Sequence, residues 1–243
     1  MNLAWPSALL LLTAWAAQAD DADKLRALGG GVFTKGGAVA EISLNRSRIT
    51  DDQLKLVANF ANLTDLSLEQ TKIGDAGLAH LRGLAKLEWL NLYRTQVGDV
   101  GLAHLANLSR LQHLPIGETR VTDAGMAHIA KLKRLVYLGL RGNKIGDGAM
   151  AHLAKLPKLT GLHLGETRLT DKGTRQFVAL GQLQKLWLHD TRITDASVPR
   201  LAKLKQLKLV YLHRTRLTVD GVRRLQKALP KCRIFYRSAT VPE

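Results

Sequence analysis

At 243 residues and 46% hydrophobic content, the chain is long enough for one or two domains with a real core and too apolar to be disordered. Four Trp, four Tyr and four Phe leave most of the core to aliphatic side chains, and the single cysteine, Cys232, excludes an internal disulfide and any cysteine-built metal site. Lys and Arg exceed Asp and Glu by 36 to 20; the net charge of +16 implies an anionic partner, anionic surroundings or a well-solvated surface, without choosing among them.

The opening "MNLAWPSALLLLTAWAAQAD" has no charged side chain before Asp20, an apolar run from Ala8 to Ala17, and Ala17-Gln18-Ala19 as a small-x-small cleavage site. It predicts a signal peptide over residues 1–19 and export to the periplasm or the secreted space. No later stretch reaches about 18 uninterrupted apolar residues, so the mature chain is not expected to span a membrane. No cysteine follows the leader, which argues against a lipid-anchored lipoprotein. Residues 20–38 predict an amino-terminal cap: a short amphipathic helix in "DADKLRAL", then two small strands around a glycine turn in "GGGVFTKGGAV".

From Val39 a unit of 24 residues recurs eight times, beginning at Val39, Leu63, Leu87, Leu111, Leu135, Leu159, Leu183 and Leu207 and ending at residue 230. It reads LxxLxLxxTxIxDxGLxxLxxLxx. Leu90-x-Leu92 has the period of a short strand, whereas Leu102, Leu105 and Leu108, three apart, suit one face of a short helix. Neither element buries its apolar side alone. Units therefore stack, with strands parallel on one wall and helices on the other, about eight buried aliphatics per unit contributing roughly 1.5–3 kcal/mol each before entropy.

This pattern resembles the leucine-rich repeat family over about residues 39–229. The resemblance implies an α/β solenoid, a right-handed horseshoe with parallel strands on the inner face and short helices on the outer face, and partner binding on that inner face. The chain departs from the family where Asn is usual: six units carry Thr, and Asn appears only at Asn143. A threonine hydroxyl can make a shorter version of the same side-chain-to-backbone bond. Pro115 falls within a strand and removes a ladder donor, predicting a local weak spot.

Repetition gives several tempting residues ordinary roles. Asp51, Asp75, Asp99, Asp123, Asp147, Asp171 and Asp195 stand one per unit just before the helical spacing, where carboxylates cap orphan amides. Gly98 and Gly101 flank Asp99 without the framework of a phosphate loop. His80, His104, His128 and His152 share one helical position predicted to face solvent, too far apart to share zinc. At the carboxy terminus, "LQKALPKCRIFY" places Ile234 and Tyr236 where strand leucines would come, predicting a closing strand and tail over 231–243, with Cys232 as a small packed residue. Only seven residues follow Tyr236, too few for an appended catalytic domain.

With leucines at positions 4 and 6 inward, positions 3, 5 and 7 face the open inner surface. From the third unit on they present Trp89, Tyr93, His113, Tyr137, Arg141, His163, Trp187, His189, Tyr211 and His213, with Arg94 beside Tyr93. Both Trp residues outside the leader fall on this surface, and exposed Trp, Tyr and Arg are typical anchors of protein interfaces. Gly117, Gly139, Gly161 and Gly165 predict a shallow depression among them, fit for a protruding loop or a sugar ring. The expected function is therefore non-enzymatic binding of a protein or envelope ligand by a monomer.

Position 10 offers an alternative: Arg48, Lys72, Arg120, Lys144, Arg168, Arg192 and Arg216 form a basic rail spanning roughly 34 Å, suited to a polyanion such as nucleic acid, anionic glycan or lipid headgroups. Glu118, Glu166 and Asp190 at position 8 are expected to pair with neighbouring arginines and neutralise part of it. There is no serine or cysteine elbow and no HExxH, so no catalytic residue, metal or cofactor is expected.

Overall fold

The structure, a computed structural model, describes residues 6–236, with side chains from residue 17 onward. Ten strands lie side by side in chain order: β1 (Gly31–Lys35), β2 (Ala38–Ser43), β3 (Asp65–Ser67), β4 (Trp89–Asn91), β5 (His113–Pro115), β6 (Tyr137–Gly139), β7 (Gly161–His163), β8 (Lys185–Trp187), β9 (Leu209–Tyr211) and β10 (Arg233–Phe235). From β2 onward all neighbours are parallel, each residue facing the one 24 positions later, as in Glu41 opposite Asp65 and Tyr137 opposite Gly161. The predicted amino-terminal pair is an antiparallel hairpin, turned by Gly36 and Gly37 in the left-handed region.

Strand leucines such as Leu66, Leu68, Leu138 and Leu140 are fully buried and meet the helical wall across one continuous aliphatic core. That wall alternates α-helical turns, α2 (Asp75–Leu78), α3 (Asp99–Leu105), α4 (Met126–Ile129), α5 (Met150–Leu153) and α6 (Val198–Leu201), with 3-10 turns such as Gly173–Ala179. Segments this short do not hold helix on propensity alone; inward residues such as Leu102 and Leu105 pin them to the core. α7 (Val219–Ala228) and β10 close the carboxy-terminal end, Ile234 and Tyr236 packing on the core and the Tyr236 hydroxyl donating to Leu217 O at 2.8 Å.

The first helix, α1 (Pro6–Ala27), is longer than the eight-residue cap helix predicted. It runs through Ala17-Gln18-Ala19, buries Ala22 and Leu25, and Gln18 donates to Asn59 O at 2.8 Å. Of the predicted leader, residues 1–5 lie outside the described residues, as do 237–243 of the predicted tail. Among the described residues no helix is long and apolar enough to cross a membrane.

Three repeated bonds hold the turns, the first within a unit and the others between units. Thr71, Thr95, Thr167, Thr191 and Thr215 donate their buried hydroxyls to the carbonyl three residues back, at 2.6–2.8 Å, the shorter bond expected in place of Asn. Asn143 reaches further, donating to Ile116 O of the previous unit. Position 8 adopts the left-handed conformation in every unit, at Gly142 and at seven non-glycines from Arg46 to Arg214. Its N–H continues the ladder, as from Gln70 to Tyr93 O.

The aspartates act differently from the expected local caps. Each carboxylate accepts from the turn of the following unit, 23 residues on: Gly74 N to Asp51, Gly98 N to Asp75, Thr122 N to Asp99, and so on to Thr218 N to Asp195, at 2.6–2.9 Å. Where that turn carries Thr122, Thr170, Thr194 or Thr218, the hydroxyl donates to the second oxygen. The carboxylate bridges turns because neighbouring units stack closely enough to bring their amides within its reach. Pro115 has the predicted effect: β4 and β5 register only at Trp89 opposite His113, whereas the other parallel pairs register at three positions.

Candidate functional site

Neither Trp89 nor Trp187 enters the core; both are half-buried on the solvent side of the sheet. Trp187 lies in a network of rings that crosses six strands. His113 stacks on Tyr137 (6.5 Å between centroids), Tyr137 meets Trp187 edge-on (6.2 Å), and Trp187 lies between His163 (5.2 Å) and Tyr211 (5.9 Å), nearly parallel to both. Tyr211 stacks on Phe235 at 4.5 Å. His189 completes a second row, edge-on to His163 (5.3 Å) and stacked on His213 (4.6 Å). Trp89 makes no ring contact among the described residues.

Phe235 was not among the expected surface residues. Its signal lies in the alternation already noted: if Ile234 and Tyr236 face inward, the residue between them faces outward.

Tyr93, Arg94 and Arg141 belong instead to an ion-pair network. The Tyr93 hydroxyl donates to Glu118, whose other oxygen accepts from Arg94 Nε at 2.6 Å, and the Arg94 guanidinium stands 5.2 Å from the Tyr93 ring centroid. Arg141 pairs with Glu166 at 2.7 Å. Arg94 and the Tyr93 bond hold the Glu118 carboxyl below the usual range against the opposing effect of burial. Burial, with Glu118 alongside, pushes the Tyr93 phenol up. Burial first, then His189 and Arg141, drives His163 down to about 4, so it is neutral at pH 7.

The depression expected at the glycines is largely occupied. A Cβ on Gly117 would meet the Tyr93 ring at 3.2 Å, on Gly161 the Tyr137 ring at 2.9 Å, and on Gly165 the His189 ring at 2.4 Å. The rings fold over these glycines, which explains why His189 is buried. A cavity of about 210 Å3 persists between Tyr93, Pro115, Tyr137, Arg141 and His163.

The rail also differs from expectation. Arg48, Lys72, Arg120, Lys144, Arg168, Arg192 and Arg216 are all exposed, and among the described residues none forms an ion pair. The position 8 carboxylates turn the other way: Glu118 to Arg94, Glu166 to Arg141, and Asp190 to Arg214 at 2.9 Å. Their left-handed backbone directs them along the inner edge, away from position 10. Backbone bonds such as Arg168 N to Ile145 O and Arg192 N to Leu169 O fix the spacing of the rail. A cavity of about 830 Å3 opens at its amino-terminal end, lined by Arg46, Arg48, Lys72 and Gln70, with Asp51 and Asp52.

On the outer wall, His80, His104, His128 and His152 are half-buried rather than solvated. Arg82 of the preceding unit covers His104, donating to Nδ1 from Nε at 3.0 Å; burial and that charge lower the His104 pKa. On the inner face, no metal ligands were expected, yet donor atoms of His189, Asp190 and His213 converge to within 4.8 Å of one another.

No protein-family model and no curated protein matches the sequence. Solved structures do match. Internalin C2 of Listeria monocytogenes is 27% identical with a TM-score of 0.57, over 74% of this chain and 81% of that one. The leucine-rich repeat ectodomain of the Arabidopsis receptor kinase HAESA, in complex with a peptide hormone, is 18% identical with a TM-score of 0.65, over 86% of this chain and 36% of that one. The ectodomain of GASSHO1/SCHENGEN3 from Arabidopsis thaliana is 16% identical with a TM-score of 0.59, over 86% and 26%. The chain thus spans about a third of the plant ectodomains or less. Repeat, register and these matches agree: the chain has the leucine-rich repeat fold and is similar to proteins of that family.

Proposed function

We propose that the chain is an exported, non-enzymatic binding protein that engages another protein through the inner-face rings from His113 to Phe235. One observation carries this: the rings touch continuously across six strands on the solvent side, where the aliphatic core has no use for them. The peptide-hormone complex of the HAESA ectodomain supports a protein or peptide partner. Ring orientation narrows the partner further. Trp187 lies within 4° of His163 and 6° of Tyr211, so these rings cover one another's faces and offer edges and polar tips outward. Edges and N–H or O–H donors suit the carbonyls of a loop better than the flat face of a sugar. Export rests on the apolar opening and its small-x-small site.

The test is capture from an envelope extract by the wild type beside Tyr137→Ala and Trp187→Ala, each first verified as folded by circular dichroism. Loss of the same captured protein in both variants is expected; retention in both overturns the proposal.

The unpaired state of the rail favours a second reading, a polyanion site along position 10. If seven cations neutralise phosphates of a duplex, the logarithm of affinity falls against the logarithm of salt with a slope of about −6. A flat response between low and moderate salt removes this reading.

A further inference from the structure

We propose that His189, Asp190 and His213 bind a late first-row divalent metal ion, Zn2+ above all, at the carboxy-terminal end of the inner face. This site is independent of the protein-binding proposal. The fold brings its ligands together: His189 and Asp190 are consecutive, and the Asp190 N–H donates to His213 O at 3.1 Å, which holds the backbone of the third ligand, one unit later, beside them. His189 is seated on the bare face of Gly165 and against the His163 ring. Its Nδ1 lies 3.0 Å from Asp190 Oδ2, while Arg214 occupies Oδ1 at 2.9 Å and orients the carboxylate with Oδ2 toward the imidazole.

An ion between Nδ1 and Oδ2 takes the place of the proton shared there, the neutral ring carrying its single proton on Nε2. Bonds of about 2.0–2.2 Å to each atom fit a 3.0 Å separation without moving either side chain far. The third ligand must turn. His213 is stacked parallel to His189, so their lone pairs lie in two parallel planes and cannot both meet one ion until the His213 ring swings about its Cβ–Cγ bond. A cavity of about 340 Å3 bordered by Tyr211, His213, Phe235 and Tyr236 gives it room. Two nitrogen donors in three select Zn2+, Cu2+ or Ni2+ over Ca2+ and Mg2+, which take oxygen ligands. Three protein ligands leave a fourth position for water or a partner's donor.

The experiment is a Zn2+ titration of the untagged chain against a chromophoric chelator, with Co2+ absorption as the geometric readout. One equivalent of Zn2+ and the intense visible bands of four-coordinate Co2+ are expected. His213→Ala should weaken binding by more than the roughly 10–100-fold typical of losing an outer-shell partner. Asp190→Asn, nearly isosteric, should weaken it too, and His128→Ala on the outer wall should leave it unchanged. The proposal fails if the wild type takes up no Zn2+, or if His213→Ala and Asp190→Asn bind as the wild type does.

Discussion

A Cβ on Gly101 would fall 2.5 Å from Asp75 Oδ1: the glycine's bare face is the space the preceding turn's carboxylate occupies. Gly77, Gly125, Gly173 and Gly221 stand in the same relation to Asp51, Asp99, Asp147 and Asp195, at 2.1–2.6 Å. Two units depart: Ser197 puts a donor there, its hydroxyl bonding Asp171 directly, and Ala149 stands there in the fifth unit, where it is the neighbouring Gly148 whose bare face lies against Asp123, at 2.7 Å. Glycine here serves close approach, since its backbone is helical and needs no special conformation.

Gly101→Ala should therefore destabilise the protein by about 1–3 kcal/mol, the usual cost of overpacking. In an Asp75→Ala background the same change should be neutral or stabilising, because alanine exceeds glycine in helix propensity by about 1 kcal/mol. Thermal unfolding of the four proteins of this cycle decides the matter. Simple additivity would show that the contact does not govern the position.

Acid should loosen the carboxylate bridges at Asp171 and Asp195. Burial acts to raise both pKa values, but hydrogen bonds from Ser197 and Thr194 to Asp171, and from Thr218 to Asp195 with Arg224 alongside, bring them below the ordinary value. A folded-state pKa below the unfolded one, about 3.9, contributes stability that is complete above that pH and is lost as pH falls through the lowered value. Asp171→Asn should thus cost more at pH 7 than at pH 3 in denaturant unfolding; equal costs would contradict this assignment.

Position 8 makes a backbone prediction. A left-handed L-residue costs about 1–2 kcal/mol, partly offset on glycine substitution by the greater freedom of the unfolded chain. Gln70→Gly (φ 58°) should raise the denaturation midpoint slightly. Gly142→Ala (φ 71°) should lower that midpoint, costing about 1 kcal/mol of stability, its new Cβ also lying 3.0 Å from Glu118 Cγ. Opposite signs would refute the strain account.

The two tryptophans should behave unequally. Trp187 touches His163, Tyr137 and Tyr211, and ring pairs are worth about 0.5–1.5 kcal/mol each beyond burial. Trp187→Ala should lower the melting temperature and remove near-ultraviolet dichroism, whereas Trp89→Ala should do little to either. Equal effects would dissolve the distinction.

Most of the fold is legible because two periods are nested in the sequence. The 24-residue repeat sets which residues become neighbours, and alternation within each strand sets which face they take; both hold from β2 to β10. What escapes is what local logic misassigns. An aspartate before a helix reads as a cap for that helix, yet its partners lie 23 residues away on a turn brought near only by stacking. Glu118, Glu166 and Asp190 read as partners of the rail until their left-handed backbone is known. Glycines at 117, 161 and 165 read as empty space because side-chain packing between units has no one-dimensional trace. The ring positions were legible on the inner face, but not that their planes would turn toward one another.

The aspartate bridge has a direction. Every carboxylate serves the turn that follows, so the first turn has no predecessor and is served locally, Gln53 accepting from Thr50 N at 3.0 Å. In the eighth unit, where no further turn of this kind follows, the aspartate position holds Val219. Interior modules consequently carry the same backbone coupling at both joints. Excising or duplicating one between the second and seventh units should leave a matched seam, whereas truncation after the seventh would strand Asp195 with no turn to receive it.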